Sequence, residues 1–151
     1  FLIVYGFYLS YLGYFLLPAV GPRFTLHNFA DLDRDLPGIF FTHIFRGIIN
    51  AGESISASLP NPVEVVQRDV FPSGHTQLTL VCTYLAFHFK LKSRRFVAIL
   101  AALLIVGTVY LRYHYVVDLL GGFLFFLLTI WSGNRLEPWW NRVSAPEKTH
   151  E

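Results

Sequence analysis

Four long apolar stretches divide the chain, and polar residues bound each of them. Residues 1–20 carry no charge, and as a helix they would extend about 30 Å, the thickness of the hydrocarbon core of a bilayer. Further apolar stretches run from about Thr76 to Phe89, from Phe96 to Leu111 and from Tyr115 to Trp131. These three would extend only about 21 to 26 Å, so flanking polar residues must complete each span or lie at the membrane boundary. The pattern predicts an all-α transmembrane helical bundle with four spanning helices.

A long connection, residues 21–72, separates the first two stretches and contains clusters of Pro, Gly, Asn and Asp that break regular structure. Apolar residues recur in it at helical spacing: Leu36, Ile39, Phe40, Ile44, Ile48 and Ile49. This spacing predicts a short amphipathic helix, and it favours equally a helix on the membrane surface and one packed on the bundle. Beyond the fourth stretch we expect an interfacial pair, Trp139 and Trp140, and a loose polar end. Residues 1–131 would thus form a membrane-embedded core and residues 132–151 a polar cytoplasmic tail.

The composition agrees with a membrane protein. The chain is 54% hydrophobic with 15% charged residues and a mean hydropathy of +0.46, which is too apolar for an ordinary soluble domain of this size. A net charge of +2 with dispersed basic residues offers no extended basic face, so we expect no nucleic-acid partner. The single cysteine, Cys82, lies in an apolar stretch, and no Cys/His cluster has metal-ligand spacing. The chain begins in apolar sequence without any Met, which indicates a segment of a longer polypeptide with helices or targeting signals upstream.

Basic residues predict the orientation. The short loop at 90–95, KLKSRR, has as many basic residues as the whole 21–72 connection, so we expect the loop to be cytoplasmic. The 21–72 connection and the junction of the third and fourth stretches would then lie on the extracytoplasmic side. The sequence therefore predicts an integral membrane protein of unknown oligomeric state, with its polar junctions on the extracytoplasmic face.

The motif FPSGHT at 71–76 immediately precedes the second apolar stretch. Ser73 and Gly74 thus stand at a helix N-terminus, where unpaired backbone N–H groups and the helix dipole favour an oxyanion. Gly74 allows the backbone to approach a ligand closely, the Ser73 hydroxyl can donate a hydrogen bond, and His75 can protonate a departing oxygen. The alternative is a plain helix cap beside an incidental interfacial histidine.

A second polar cluster, Arg112, His114 and Asp118, lies between the third and fourth apolar stretches. Ionisable groups at membrane depth cost about 3 kcal/mol each on insertion scales, so they usually face a polar cavity or one another. If the fourth helix begins near His114, the carboxylate of Asp118 can accept a hydrogen bond from one imidazole nitrogen. The other nitrogen then keeps a lone pair suited to attack on phosphorus. Alternatively, Asp118 only stabilises the helix N-terminus beside an interfacial histidine.

Arg23 follows the first apolar stretch, and its planar, permanently charged guanidinium suits phosphate oxygens. By itself, an arginine in this position is typical of an ordinary boundary anchor. Up-and-down threading, however, puts Arg23, the 73–75 turn and the 112–118 cluster at the same membrane face, which favours one shared phosphate site. We predict a site without a metal or other cofactor, in which His114, His75 and Asp118 are catalytic and Arg23, Arg112, Ser73 and Gly74 bind phosphate.

These segments resemble the second and third signature motifs of the type 2 phosphatidic acid phosphatase superfamily. FPSGHT contains the Pro-Ser-Gly-His motif at 72–75, and HYVVD at 114–118 matches the His-x-x-x-Asp half of the last motif, which small residues follow at Gly121 and Gly122. The resemblance covers about residues 17–122, and the order and spacing of the motifs are specific to the superfamily. It implies that His114 attacks phosphorus, that Asp118 supports it and that His75 protonates the leaving group.

The chain departs from this pattern at two places. The Ser-Arg pair that usually begins seven residues before the nucleophile is Gly107 and Thr108 here, and an arginine occurs instead at Arg112. If the helix continues that far, Arg112 shares the face of Thr108 and can reach the same phosphate. The first motif is reduced to Pro22 and Arg23 in reversed order. These Gly-Pro-Arg and Arg-Tyr-His variants resemble the inositol phosphorylceramide synthase-related branch.

The resemblance implies a membrane enzyme that hydrolyses or transfers a lipid phosphate ester through a phosphohistidine intermediate, without a metal. The acceptor would be water in a phosphatase and another lipid's hydroxyl in an inositol phosphorylceramide synthase-like headgroup transferase. An alternative of another class is a non-catalytic phospholipid-binding or transport protein, whose expected signature is loss of His114 or Asp118; both are present. Vanadium haloperoxidases of the same superfamily are soluble, and four apolar stretches argue against that reading.

Overall fold

A computed structural model of the chain describes residues 1–26, 32–36, 38, 42–52, 62–64 and 66–144. These residues are helical, apart from turns and one isolated parallel bridge between Ala19 and Asp69, so the prediction of an all-α class is confirmed. The elements in chain order are α1 (Leu2–Leu16), α2 (Pro22–Thr25), α3 (Leu32–Asp35), α4 (Thr42–Gly52), a 3₁₀ turn (Pro62–Glu64), α5 (Gly74–His88), α6 (Arg94–Tyr110) and α7 (Val116–Val143).

Helices α1, α5 and α7 pack against one another, and α6 packs against α5. Small residues let these helices approach closely. A methyl group at Gly13 would collide with Pro72, and one at Gly133 would collide with Leu2. Such glycine-lined contacts are typical of helices that associate within a membrane, where close van der Waals packing replaces the hydrophobic effect.

The polarity of the bundle is inverted relative to a soluble domain. Its buried side chains include many polar ones, among them Ser10, Thr76, Gln77 and Thr129. Large apolar side chains on α1, α6 and α7 are instead exposed, for example Phe15 and Leu103. Many exposed large apolar side chains are typical of surfaces that contact lipid or another protein.

Gln77 joins the three central helices. Its side chain is fully buried, and its Nε2 donates to the carbonyl of Gly6 on α1 at 2.8 Å and to Oγ1 of Thr129 on α7 at 3.0 Å. Because little water competes for these groups in a buried site, the bonds fix how α5 meets both neighbours.

The prediction of four spanning helices is not confirmed. Among the described helices, only α7 is both long and apolar enough to cross a membrane on its own, and α1 is a shorter apolar helix. The 15 residues of α1 and of α5 extend about 22 Å, which is less than a hydrocarbon core of about 30 Å.

Three predicted boundaries differ from the structure. Helix α1 ends at Leu16, four residues before the predicted end at residue 20. Helix α7 continues to Val143, well beyond the predicted end at Trp131, so residues 132–143 form helix and not a loose end. In the connection, the predicted amphipathic helix corresponds to α4, which begins only at Thr42. Ile44 and Ile48 on it are exposed, whereas residues 39 and 40 lie outside the described part of the chain.

Candidate active site

Three junctions of the fold meet at one end of the bundle, as up-and-down threading predicts. They are the turn after α1, the start of α5 and the segment between α6 and α7. Main-chain hydrogen bonds connect them: the amide of Arg23 donates to the carbonyl of Arg112 at 3.1 Å, and the amide of Ser73 donates to the carbonyl of Asp118 at 3.0 Å. The relative positions of the junctions are therefore set by backbone as well as by side chains.

The two predicted catalytic histidines are in direct contact. Nδ1 of His75 lies 3.2 Å from Nε2 of His114, and the two rings meet at 66°. His75 lies in the first turn of α5, while His114 lies just before α7 and is 5% exposed. Both imidazoles thus face the same compartment and are close enough to act on one phosphorus atom.

Asp118 lies on the other side of His114. Its Oδ2 is 3.5 Å from Nδ1 of His114, too long for a well-formed hydrogen bond, and it accepts the amide of Tyr115 at 2.7 Å. The carboxylate is 2% exposed. It therefore supplies a buried negative charge next to Nδ1, which favours the tautomer with the proton on Nδ1 and the lone pair on Nε2. In that tautomer Nε2 accepts the Nδ1–H of His75.

The histidine pair opens into a cavity of about 110 Å³, here called the reactive cavity. The described residues that line it include Tyr14, Arg23, Asp69, His75, Tyr113 and His114. Arg23 is 5% exposed, and its guanidinium stacks on the ring of Tyr113 at 4.2 Å from the centroid. A buried, oriented guanidinium beside two imidazoles is a suitable environment for a phosphate group.

A second cavity, of about 280 Å³, lies between α1 and α5 and is here called the lateral cavity. It shares Tyr14, Asp69 and His75 with the reactive cavity, and its wall also includes Gly74 and Phe7. The Tyr14 hydroxyl contacts the backbone of Gly74, and a methyl group at Gly74 would collide with it. Glycine thus allows Tyr14 to approach the backbone here, and the α5 N-terminus borders the lateral cavity.

Ser73 and Arg112 do not line either cavity. Ser73 is fully buried, and its Oγ accepts the amide of Thr76 at 3.2 Å, so it acts as the N-cap of α5. Arg112 lies beyond the end of α6, with a left-handed φ of 63°, and its guanidinium pairs with Asp35 at 3.2 Å. The continued helix that would carry Arg112 on the face of Thr108 is not formed, because α6 ends at Tyr110.

Tyr14, Asp69 and Tyr113 also line the reactive cavity, and they were not predicted from the sequence as site residues. Asp69 is a polar residue close before FPSGHT, and Tyr113 directly precedes His114. Their nearness to the two motifs was the available signal. Tyr14 lies within an uncharged helix, where no pattern separates it from the other tyrosines of α1.

The described structure defines an all-helical protein with a paired-histidine site beside a buried arginine. A family model of the PAP2 superfamily, the type 2 phosphatidic acid phosphatases, matches residues 1–132. The chain therefore belongs to that superfamily, and membership supports an enzyme with phosphatase-like activity on phosphate esters, generally those of lipids. Comparisons with curated proteins and with solved structures found no match.

Proposed function

We propose that this protein is a membrane-embedded lipid phosphatase or phosphotransferase that works through a phosphohistidine intermediate on His114. The observation that carries the proposal is the contact at 3.2 Å between Nε2 of His114 and Nδ1 of His75, with Asp118 on the far side of His114. This arrangement places His114, the nucleophile, between His75, the proton donor, and the carboxylate of Asp118.

The substrate phosphate enters the reactive cavity and replaces the hydrogen bond between the two imidazoles. Nε2 of His114 then attacks phosphorus and the bond to the leaving oxygen breaks. His75 enters this step as the imidazolium, with protons on both ring nitrogens, gives its Nδ1 proton to the leaving oxygen and becomes neutral. Asp118 stabilises the positive charge that develops on His114. Arg23 neutralises charge on the phosphate oxygens, and the amide end of α5 at Gly74 adds a favourable dipole.

The second half of the reaction reverses these roles. Water or an alcohol attacks the phosphohistidine, His75 takes up its proton, and His114 is released. No step requires a divalent metal, because Arg23 and the helix amides supply the charge stabilisation. Ser73 contributes as the cap that positions Gly74 and His75, and Arg112 would join the phosphate by leaving Asp35.

Transfer to an alcohol, as in an inositol phosphorylceramide synthase-like enzyme, is the second candidate, and the lateral cavity favours it. This cavity adjoins His75, so an acceptor hydroxyl placed there could reach the proton acceptor while its apolar part lies between α1 and α5. A phosphatase needs only water at the same place.

We further propose that α1, α5, α6 and α7 all cross the membrane, with flanking polar residues completing the shorter spans. Exposed apolar side chains along these helices support this arrangement. Residues 1–131 would be the embedded core, the end from residue 132 would extend into the cytoplasm, and the active site would face the extracytoplasmic side because the basic loop at 90–95 lies at the opposite end.

The test is phosphate release or headgroup transfer from a panel of phospholipids in the presence of EDTA. We expect wild-type turnover to persist in EDTA and His114→Ala to lose about three orders of magnitude or more. His88→Ala is the matched control, because His88 lies at the far end of α5 and stacks on Tyr84. Equal turnover by wild type and His114→Ala would refute the proposal, and a phospholipid-binding protein without turnover would replace it.

A further inference from the structure

We propose that Asp69 makes this site selective for phosphodiesters, whose phosphate carries one negative charge, over phosphomonoesters, whose phosphate carries two. The inference rests on the proposed function, because it concerns the substrate of the same cavity.

Asp69 occupies the boundary between the two cavities. It lines both of them together with Tyr14 and His75, and its carboxylate interacts electrostatically with the His75 imidazole and the Tyr14 hydroxyl. The bridge to Ala19 holds its backbone in place, since the Val70 amide donates to the Ala19 carbonyl at 3.3 Å. A substrate phosphate bound between the histidines therefore has beside it the carboxylate of Asp69, an exposed side chain on an anchored backbone.

The charges around the reactive cavity do not favour a doubly charged ligand. Among the described residues that line it, Arg23 is the only arginine or lysine. Asp118 adds a buried carboxylate behind His114, and the charge of Arg112, which lines neither cavity, is compensated by Asp35. Each further negative charge on the ligand is repelled by Asp69, and this repulsion is roughly twice as large for a dianion as for a monoanion at equal distance.

A phosphodiester also fits the shape of the site. Its second ester group removes one charge and needs room beside the phosphate, in addition to the place that the leaving group occupies opposite His114. The lateral cavity is the nearest such room, because it shares Asp69 and His75 with the reactive cavity and is also lined by Phe7 and Leu78. The charge of Asp69 and the position of the lateral cavity thus select the same class of substrate.

The experiment compares dodecyl phosphate with its methyl ester, methyl dodecyl phosphate, on the detergent-solubilised full chain. At about pH 8 the monoester is doubly ionised, because its second pKa is about 6, and the diester carries one charge. Dissociation constants come from ligand-induced thermal stabilisation, so that even an inactive variant gives a result; kcat/KM for both compounds is measured in parallel. We expect wild type to bind the diester more tightly.

Asp69→Asn should shift the ratio of the two dissociation constants by about tenfold in favour of the monoester, the effect of one partly screened charge a few ångströms away. Asp69→Glu should keep the wild-type ratio, and so should Glu137→Gln, which removes a carboxylate near the opposite end of α7. A purely structural role of Asp69 would weaken both ligands equally and leave the ratio unchanged.

Tighter binding of the monoester by wild type, or an unchanged ratio in Asp69→Asn, would overturn the inference about Asp69. Either result is compatible with the proposed function as long as His114→Ala abolishes turnover. Full activity of His114→Ala would instead remove the proposed function and this inference with it.

Discussion

The orientation of Arg23 is determined by its aromatic neighbours. Its guanidinium lies 4.5 Å from the centroid of Phe24 and 4.2 Å from that of Tyr113, and its amide donates to the Arg112 carbonyl. Stacking keeps the planar fork in one orientation, so little rotational freedom would be lost in binding the proposed substrate phosphate.

Arg23→Lys tests this orientation. The ammonium keeps the charge but loses the stacking and the bidentate geometry, so we expect kcat/KM to fall by about tenfold or more. Arg95→Lys, in the basic loop at the other end of the bundle, should leave turnover unchanged. Wild-type kcat/KM for Arg23→Lys would mean that only the charge matters.

Among single residues, ionisable side chains between apolar stretches could be recognised from the sequence. His114 and Asp118 stand out because ionisable groups are costly between apolar helices, and the structure brings both to the bundle end where His75 lies. Whether Ser73 and Arg112 face the ligand depends on a helix cap and on where α6 ends, and neither property is encoded in residue type. Asp69 was missed because it is one of several acidic residues in a long connection.

Helix α7 approaches α5 through glycine. A methyl group at Gly122 would lie 2.5 Å from the carbonyl oxygen of Ser73 and 2.9 Å from Cβ of Thr76. The first of these atoms is backbone at the cap of α5, so it cannot yield without moving the helix start that carries His75.

Gly122→Ala should therefore destabilise the bundle by about 1–3 kcal/mol, as overpacking does in well-packed cores, and should reduce turnover. The measurement is the temperature at which half of the protein in detergent has aggregated. Gly107→Ala is the matched control, because no atom lies within 4 Å of its added methyl group and alanine favours α6 by up to about 1 kcal/mol. Equal effects of the two substitutions would contradict close packing at Gly122.

The positions of the long helices were predictable from the sequence, but the ends of α1 and α7 were not. The starts of α5, α6 and α7 agree with the starts of the apolar stretches to within about two residues, because polar sequence gives way to apolar sequence at each of these points. The extension of α7 to Val143 depends on tertiary contacts. The Tyr5 hydroxyl bonds Ser132 Oγ at 2.8 Å, and Phe1 packs on Trp140. Hydropathy shows where the apolar sequence ends, but these contacts stabilise α7 beyond that point.

In the whole molecule, the candidate catalytic residues and the basic loop at 90–95 occupy opposite ends of the bundle. Helix α5 starts at Gly74, next to His75, and ends at His88, and α6 returns from Arg94 to the junction that precedes His114. If the helices cross a membrane, the histidine pair and the 90–95 loop must lie on different sides of it.

Thiol labelling tests this topology. In a Cys82→Ala background, Arg68→Cys near the reactive cavity should react with a membrane-impermeant maleimide on intact cells, whereas Lys92→Cys should react only after the membrane is permeabilised. Both positions are exposed, so a difference in labelling reports sidedness. If only Lys92→Cys were labelled on intact cells, the orientation would be the opposite of the proposed one. Equal labelling of both variants on intact cells would contradict the proposal that the helices cross the membrane.

The left-handed backbone at Arg112 offers a way to isolate one side chain. For an L-residue with a side chain, the left-handed conformation is less stable than the right-handed one by about 1–2 kcal/mol, whereas glycine adopts it freely. Arg112→Gly thus removes the guanidinium while the backbone keeps its left-handed conformation. A loss of turnover in this variant can then be attributed to the missing cation and not to a distorted turn.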